Sequence, residues 1–237
     1  MIPAPDRRLR FDPEALGLRG ARRSFFRRDT VAVARDLIGA WFSRRYRGSW
    51  YGGRIVETEA YVGPGDAAAH SWKGRRTPRV EPMYGDGGLL YVFFVYGMHH
   101  CANVVTRVAG DPQAVLLRAA EGPEGAPASL LSGPARLCAA LGVTRAVSGV
   151  DLVEGERFRI FLAGGRRAAI GVSPRIGVDY AGDAAGWPLR FFDRRSSAVS
   201  GKGKIAARTT IVGRRAFSSE SRRPSRGAGR SSGLPAP

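Results

Sequence analysis

Read for the spacing of its apolar positions, the chain divides into short runs of period two, broken by glycine- and proline-rich connections, with two segments of helical period among them. The first helical segment opens at Asp29-Thr30, where Asp29 is placed to cap and Val33, Leu37 and Ile38 share a face. The second, residues 132–142, begins with a serine cap and a first-turn proline and stops at Gly142. Strands are predicted over residues 40–47 and 51–61, joined by a tight turn at Gly48-Ser49. A second pair, 89–96 and 99–105, is joined at Gly97-Met98 with Tyr96 at its tip. Further strands are predicted over 113–120, 157–162 and 189–192.

Within the run 51–61, period two sets Ile55, Glu57, Glu59 and Tyr61 on one face and Val56, Thr58 and Ala60 on the other. Two carboxylates leading to an aromatic ring at a strand end fit a catalytic pocket, and they also fit a polar strand face. Tyr96 likewise has two readings: a ring folded back onto the core, or a wedge that enters a base stack. Residues 63–88 form a long Gly-, Pro- and Arg-rich loop of the kind that usually carries function. Its Lys73, Arg75, Arg76 and Arg79 are suited to gripping phosphates.

The 237 residues suffice for one full core. The expected organisation is a loosely ordered lead-in over 1–23, one domain over 24–192 and a disordered basic tail over 193–237, where eleven basic residues face two acidic ones. A formal charge of +18 points to a polyanionic partner, with nucleic acid foremost. No apolar run approaches the roughly 18 residues of a membrane span, and the N-terminus lacks the apolar centre of a secretory signal, so an intracellular protein away from the membrane is expected. Cys101 and Cys138 are the only cysteines and form no CxxC pair. That argues against a disulfide framework, a zinc site or an iron–sulfur cluster, and a site without metal or cofactor is expected.

Glu57-Thr58-Glu59-Ala60-Tyr61, Ala69-His70-Ser71, Arg76-Thr77-Pro78-Arg79, Leu90-Tyr91-Val92, Tyr96-Gly97-Met98 and Leu116-Leu117-Arg118-Ala119 together resemble the alkyladenine (methylpurine) DNA glycosylase family. Ser132-Gly133-Pro134, Pro174-Arg175-Ile176-Gly177 and Pro188-Leu189-Arg190-Phe191 extend the resemblance over residues 24–192. It implies a single mixed α/β domain around a curved, largely antiparallel sheet with a protruding β-hairpin. It also implies a monomeric, monofunctional enzyme that flips alkylated purines of the 3-methyladenine type out of double-stranded DNA and hydrolyses their glycosidic bonds.

The same resemblance assigns the general base to Glu59 and the positioning of its water to Arg118. Tyr61 and His70 become the walls of the base pocket, Asn103 a pocket residue that rejects the guanine amino group, and Tyr96 with Met98 the intercalating tip; Arg75, Arg76 and Arg79 are the expected phosphate contacts. Phe93 stands where the family commonly has a tyrosine, keeping the ring face without the hydroxyl. From the residues alone, Glu57 rivals Glu59 as base. The scarcity of lysine, with Lys73 the only one before the tail, agrees with hydrolysis rather than Schiff-base chemistry. Two other classes fit less well: a lesion-binding protein without catalysis, and a hydrolase of small nucleosides, whose neutral substrates a charge of +18 would not favour.

Overall fold

The structure is a computed structural model that describes residues 2–164 and 168–201. Its strands are β1 (Arg10–Phe11), β2 (Arg19–Gly20), β3 (Trp41–Tyr46), β4 (Ser49–Tyr61), β5 (Leu90–Val95), β6 (His99–Thr106), β7 (Gln113–Glu121), β8 (Phe158–Leu162), β9 (Ile170–Ser173) and β10 (Arg190–Asp193). Every pairing among them is antiparallel. They form one curled sheet whose main path runs β2-β8-β3-β4-β7-β6-β5, and with its few helices the chain is a mixed α/β domain, as expected. Helices α1 (Arg23–Phe26), α2 (Thr30–Asp36) and α3 (Pro134–Leu141) are short. No helix among the described residues is long and apolar enough to cross a membrane.

The fold turns on β4. Its first half is flanked by β1 and β3 and its second half by β7 and β10, so one strand joins two sectors of the sheet. Gly53 lies at the changeover because the backbones close in there: a Cβ would stand 2.6 Å from the Glu121 carbonyl oxygen. Below the sheet, Phe42, Ile55, Ala60, Leu117 and Phe191 pack with Val33, Leu37 and Leu137 into the main core. Asp29 caps α2 by accepting from the Ala32 N–H at 3.0 Å, as predicted. The cap of α3 is Gly133 rather than Ser132, without a side-chain bond, and the helix ends on left-handed Gly142.

Besides the cap of α3, the observed structure departs from expectation at three places. Residues 2–23 are not a loose lead-in. Leu9 is fully buried, Arg10 and Phe11 pair with Tyr51 and Trp50, and Arg19 and Gly20 pair with Leu162 and Phe161. Two-residue strands are too short to leave a periodic signal, so partners far along the chain define them. Asp193 is likewise not the start of a tail: it closes β10, and Ala198 and Val199 beyond it are buried. The rest of the expected tail, 202–237, lies outside the described residues.

The third departure is in the face of β4. Ile55 does not share a face with Glu57; it lies in the main core with Ala60, while Val56 joins a separate cluster with Ala119, Phe192, Ala198 and Val199. The register supplies the reason. Ile55 faces Ala120 and Glu57 faces Ala119, which skips Val56; Thr58 then faces Leu117, which skips Arg118. Each strand carries one extra residue, and each irregularity turns two consecutive side chains to the same side. Glu57, Glu59, Arg118 and Tyr61 are thereby gathered above the sheet.

Candidate active site

Glu59 has no exposed surface, and its carboxylate is held by three donors. Oε2 accepts from the Tyr61 hydroxyl at 3.1 Å and from Arg118 Nη1 at 3.2 Å, and Oε1 accepts from the Ile176 N–H at 2.8 Å. Tyr61, Arg118 and Ile176 all line one cavity of about 540 Å³, a size suited to a small organic group such as a base. Glu57 is equally buried but tied elsewhere. Its Oε1 accepts from Arg118 Nε at 2.9 Å and Arg190 Nε at 2.7 Å, and its Oε2 from the Ser200 N–H at 2.7 Å. Of these donors only Arg118 reaches the cavity wall. The two acids that the residue pattern alone could not rank are thus distinguished by their surroundings.

Arg118 bridges them. Its Nη2 also donates to Ser200 Oγ at 3.3 Å, so each guanidinium nitrogen is engaged. Burial works against its charge, but Glu59 and Glu57 outweigh that and raise its pKa. Burial pushes the Tyr61 hydroxyl well above its ordinary range, and the neighbouring Glu59 carboxylate adds to this, so Tyr61 stays a donor. Behind the Tyr61 ring lies the Arg175 guanidinium, 4.8 Å from its centroid. Arg175 is itself held by Asp66, with Nη2 donating to Oδ1 at 2.8 Å, and by the Ala60 and Ala184 carbonyls.

The opposite wall is aromatic. His70 meets Phe93 edge-on, with centroids 4.5 Å apart, and shares a 2.9 Å hydrogen bond between Nδ1 and the Tyr91 hydroxyl. Burial, aided by Arg79 and Arg75, pulls the His70 pKa down to about 4, so the ring is neutral at pH 7. Asn103 donates from its amide nitrogen to the Tyr91 and Cys101 carbonyls at 3.1 and 3.4 Å, which fixes it in the wall. Cys101 lines the cavity too, but burial pushes its thiol up to about 11 and keeps it protonated.

At the mouth, Tyr96, Gly97 and Met98 connect β5 to β6; the Met98 N–H donates to the Val95 carbonyl at 3.2 Å across Tyr96 and Gly97, whose φ of 52° and 68° are both left-handed. Tyr96 is 87% exposed and Met98 68% exposed, so the ring does not fold back. Arg75, Arg76 and Arg79 are all exposed, yet they are not equivalent. Arg76 pairs with Glu81 at 2.6 Å and lies over Tyr84, whereas Arg79 lines the cavity mouth and Arg75 has no carboxylate partner among the described residues.

The structure therefore brings Arg118, Tyr61, His70, Phe93 and Asn103 around one cavity with Tyr96 at its edge, holds Glu59 directly behind Tyr61 and Arg118, and sets Arg76 aside. Sequence reasoning had not singled out Asp66, Arg175, Arg190, Ser200 or Tyr180, the last of which lines the cavity and is 72% exposed. The available signal was Arg190: an arginine between Leu189 and Phe191 in an apolar strand implies a buried acid to receive it.

The methylpurine-DNA glycosylase family matches residues 24–197. Relatives named "Putative 3-methyladenine DNA glycosylase" include the following three. One, from Desulfitobacterium hafniense (strain Y51), is 43% identical over 199 residues, which cover 76% of this chain and 98% of the relative. The second, from Myxococcus xanthus (strain DK1622), is 47% identical over 181 residues, covering 75% and 91%. The third, from Methanocella arvoryzae, is 42% identical over 192 residues, covering 75% and 94%.

Proposed function

Because this chain belongs to the methylpurine-DNA glycosylase family, we propose that it excises alkylated purines of the 3-methyladenine type from duplex DNA by simple hydrolysis. The observation that carries this reading is the Glu59 carboxylate held by three residues that all wall the same cavity. A carboxylate accepts about four hydrogen bonds, so three protein donors leave room for one water. With a flipped purine between Tyr61 and the His70–Phe93 wall, the glycosidic bond breaks and its electron pair leaves with the base. The water adds to the sugar carbon, and Glu59 takes the proton while its charge steadies the cationic sugar. Arg118 holds Glu59 and the water in line. Asn103, fixed by two backbone carbonyls, excludes an added amino group by shape.

The rim suits the DNA. Tyr96 fills the gap left by the flipped base with Met98 beside it, and Arg75 and Arg79 take phosphates. Arg76, already paired, contributes least. Lys73 lies over the Trp72 ring at 4.5 Å and is not among the residues lining the cavity, which supports monofunctional hydrolysis over Schiff-base chemistry. Single-turnover release of a methylated purine from a duplex oligonucleotide tests the reading. Wild type is expected to release the base and Glu59→Gln to bind the DNA without release. A wild type that binds lesion DNA but frees no base would make the chain a recognition protein instead.

A further inference from the structure

The chain returns to the active site after its last strand. Ala198 and Val199 seat against Val56 and Ala119, the residues that the two register irregularities turn onto this face. Seating them delivers Ser200 to the charged cluster with all of its polar groups engaged. Its N–H donates to Glu57 Oε2 at 2.7 Å, its carbonyl accepts from Arg190 Nη2 at 2.9 Å, and its Oγ accepts from Arg118 Nη2 at 3.3 Å. One residue therefore touches three of the buried charges.

We propose that Ser200 is a positioning residue for the excision reaction, fixing the Arg118 guanidinium so that Nη1 stays on Glu59. The backbone bonds of Ser200 serve Glu57 and Arg190 whatever its side chain; the hydroxyl alone serves Arg118. Without it, Arg118 Nη2 has no acceptor among the described residues, and the guanidinium is held only by its Nε bond to Glu57 and its Nη1 bond to Glu59, free to tilt about that edge. The carboxylate that must hold water then loses a fixed neighbour. Residues beyond the base pocket, at the edge of the basic C-terminal sequence, thus belong to the reaction apparatus.

The kinetic arm of the test rests on the glycosylase reading. Full-length Ser200→Ala and Ser200→Thr are compared with wild type for single-turnover base release at saturating enzyme, for affinity to a duplex bearing an abasic-site analogue, and for thermal unfolding. Ser200→Ala is expected to slow release about tenfold, the equivalent of one hydrogen bond to a charged group. Affinity stays at the wild-type value, any drop in the unfolding midpoint is small, and Ser200→Thr restores both the rate and the midpoint. Release by Ser200→Ala at the wild-type rate overturns the proposal, as does a slowing matched by lost affinity or lost stability that threonine does not rescue. A second measurement stands apart from activity: solvent exchange of the Arg118 Nη2 protons by NMR should quicken in Ser200→Ala and recover in Ser200→Thr. Should wild type release no base, the glycosylase reading falls while this measurement still decides the positioning, and an unchanged Arg118 signal overturns it.

Discussion

At the floor of the cavity, Glu57, Glu59, Arg118 and Arg190 are buried, and each is held by at least two partners within the chain. At the rim, Tyr96, Met98 and Tyr180 stand largely in solvent, and Arg75 and Arg79 have no carboxylate partner among the described residues. The floor is complete before any substrate arrives. The rim is composed of exposed rings and cations, which on the proposed function meet a base stack and phosphates of the DNA. Rigid dipoles aimed at the reacting bond lower the barrier because they need no reorganisation, whereas exposed cations and rings gain by exchanging water for nucleic acid.

The largest effect that can test this division is at Glu59. Its replacement by glutamine should lower the single-turnover rate by about 10²–10⁴ with DNA affinity unchanged, since the amide keeps the shape and loses the base. A fall in affinity instead would place Glu59 in binding. Next is Glu57→Ala, which leaves Arg118 and Arg190 without their shared carboxylate and should cost about 3–5 kcal/mol in denaturant unfolding. A loss well under 1 kcal/mol would mean that the floor is not locked.

His70 tests the wall by pH. Folding holds its pKa at about 4 against an ordinary 6.5, so between those values the unfolded chain binds the proton first. Its contribution is therefore intact above pH 6.5 and lost as pH falls toward 4, by up to about 3 kcal/mol. In His70→Gln the unfolding free energy should fall less steeply across that window.

The rim should behave oppositely, losing function without losing stability. Tyr96→Asn suits the left-handed turn better than tyrosine, so unfolding should be unchanged or slightly harder, while excision from duplex falls about tenfold for want of a stacking ring. Smallest is Arg75→Gln, expected to reduce the slope of log affinity against log salt by about one and to leave release at saturation untouched.

Local signals made much of this legible. The hairpin with Tyr96 at its tip, the Asp29 cap, the strand carrying Glu57 and Glu59 and the stop at Gly142 all follow from period, caps and turn residues. Ranking the acids did not, because what separates them comes from Ile176 and Ser200, more than a hundred residues away. The face of Ile55 was misplaced for a related reason: period two holds only while the ladder is regular, and an extra residue leaves no mark in composition. The short strands β1 and β2 went unread because two residues cannot display a period.

The paired irregularities in β4 and β7 also behave like a parity code. One extra residue at Val56 makes the count between the strands odd, and one at Arg118 makes it even again, so pairing resumes at Thr58 and Leu117 in its original phase. An indel of a single residue in either strand would be uncorrected and would transpose the face that carries Glu59 and Tyr61. Only matched changes in both strands would leave the message readable, so this stretch should accept substitutions far more readily than changes in length.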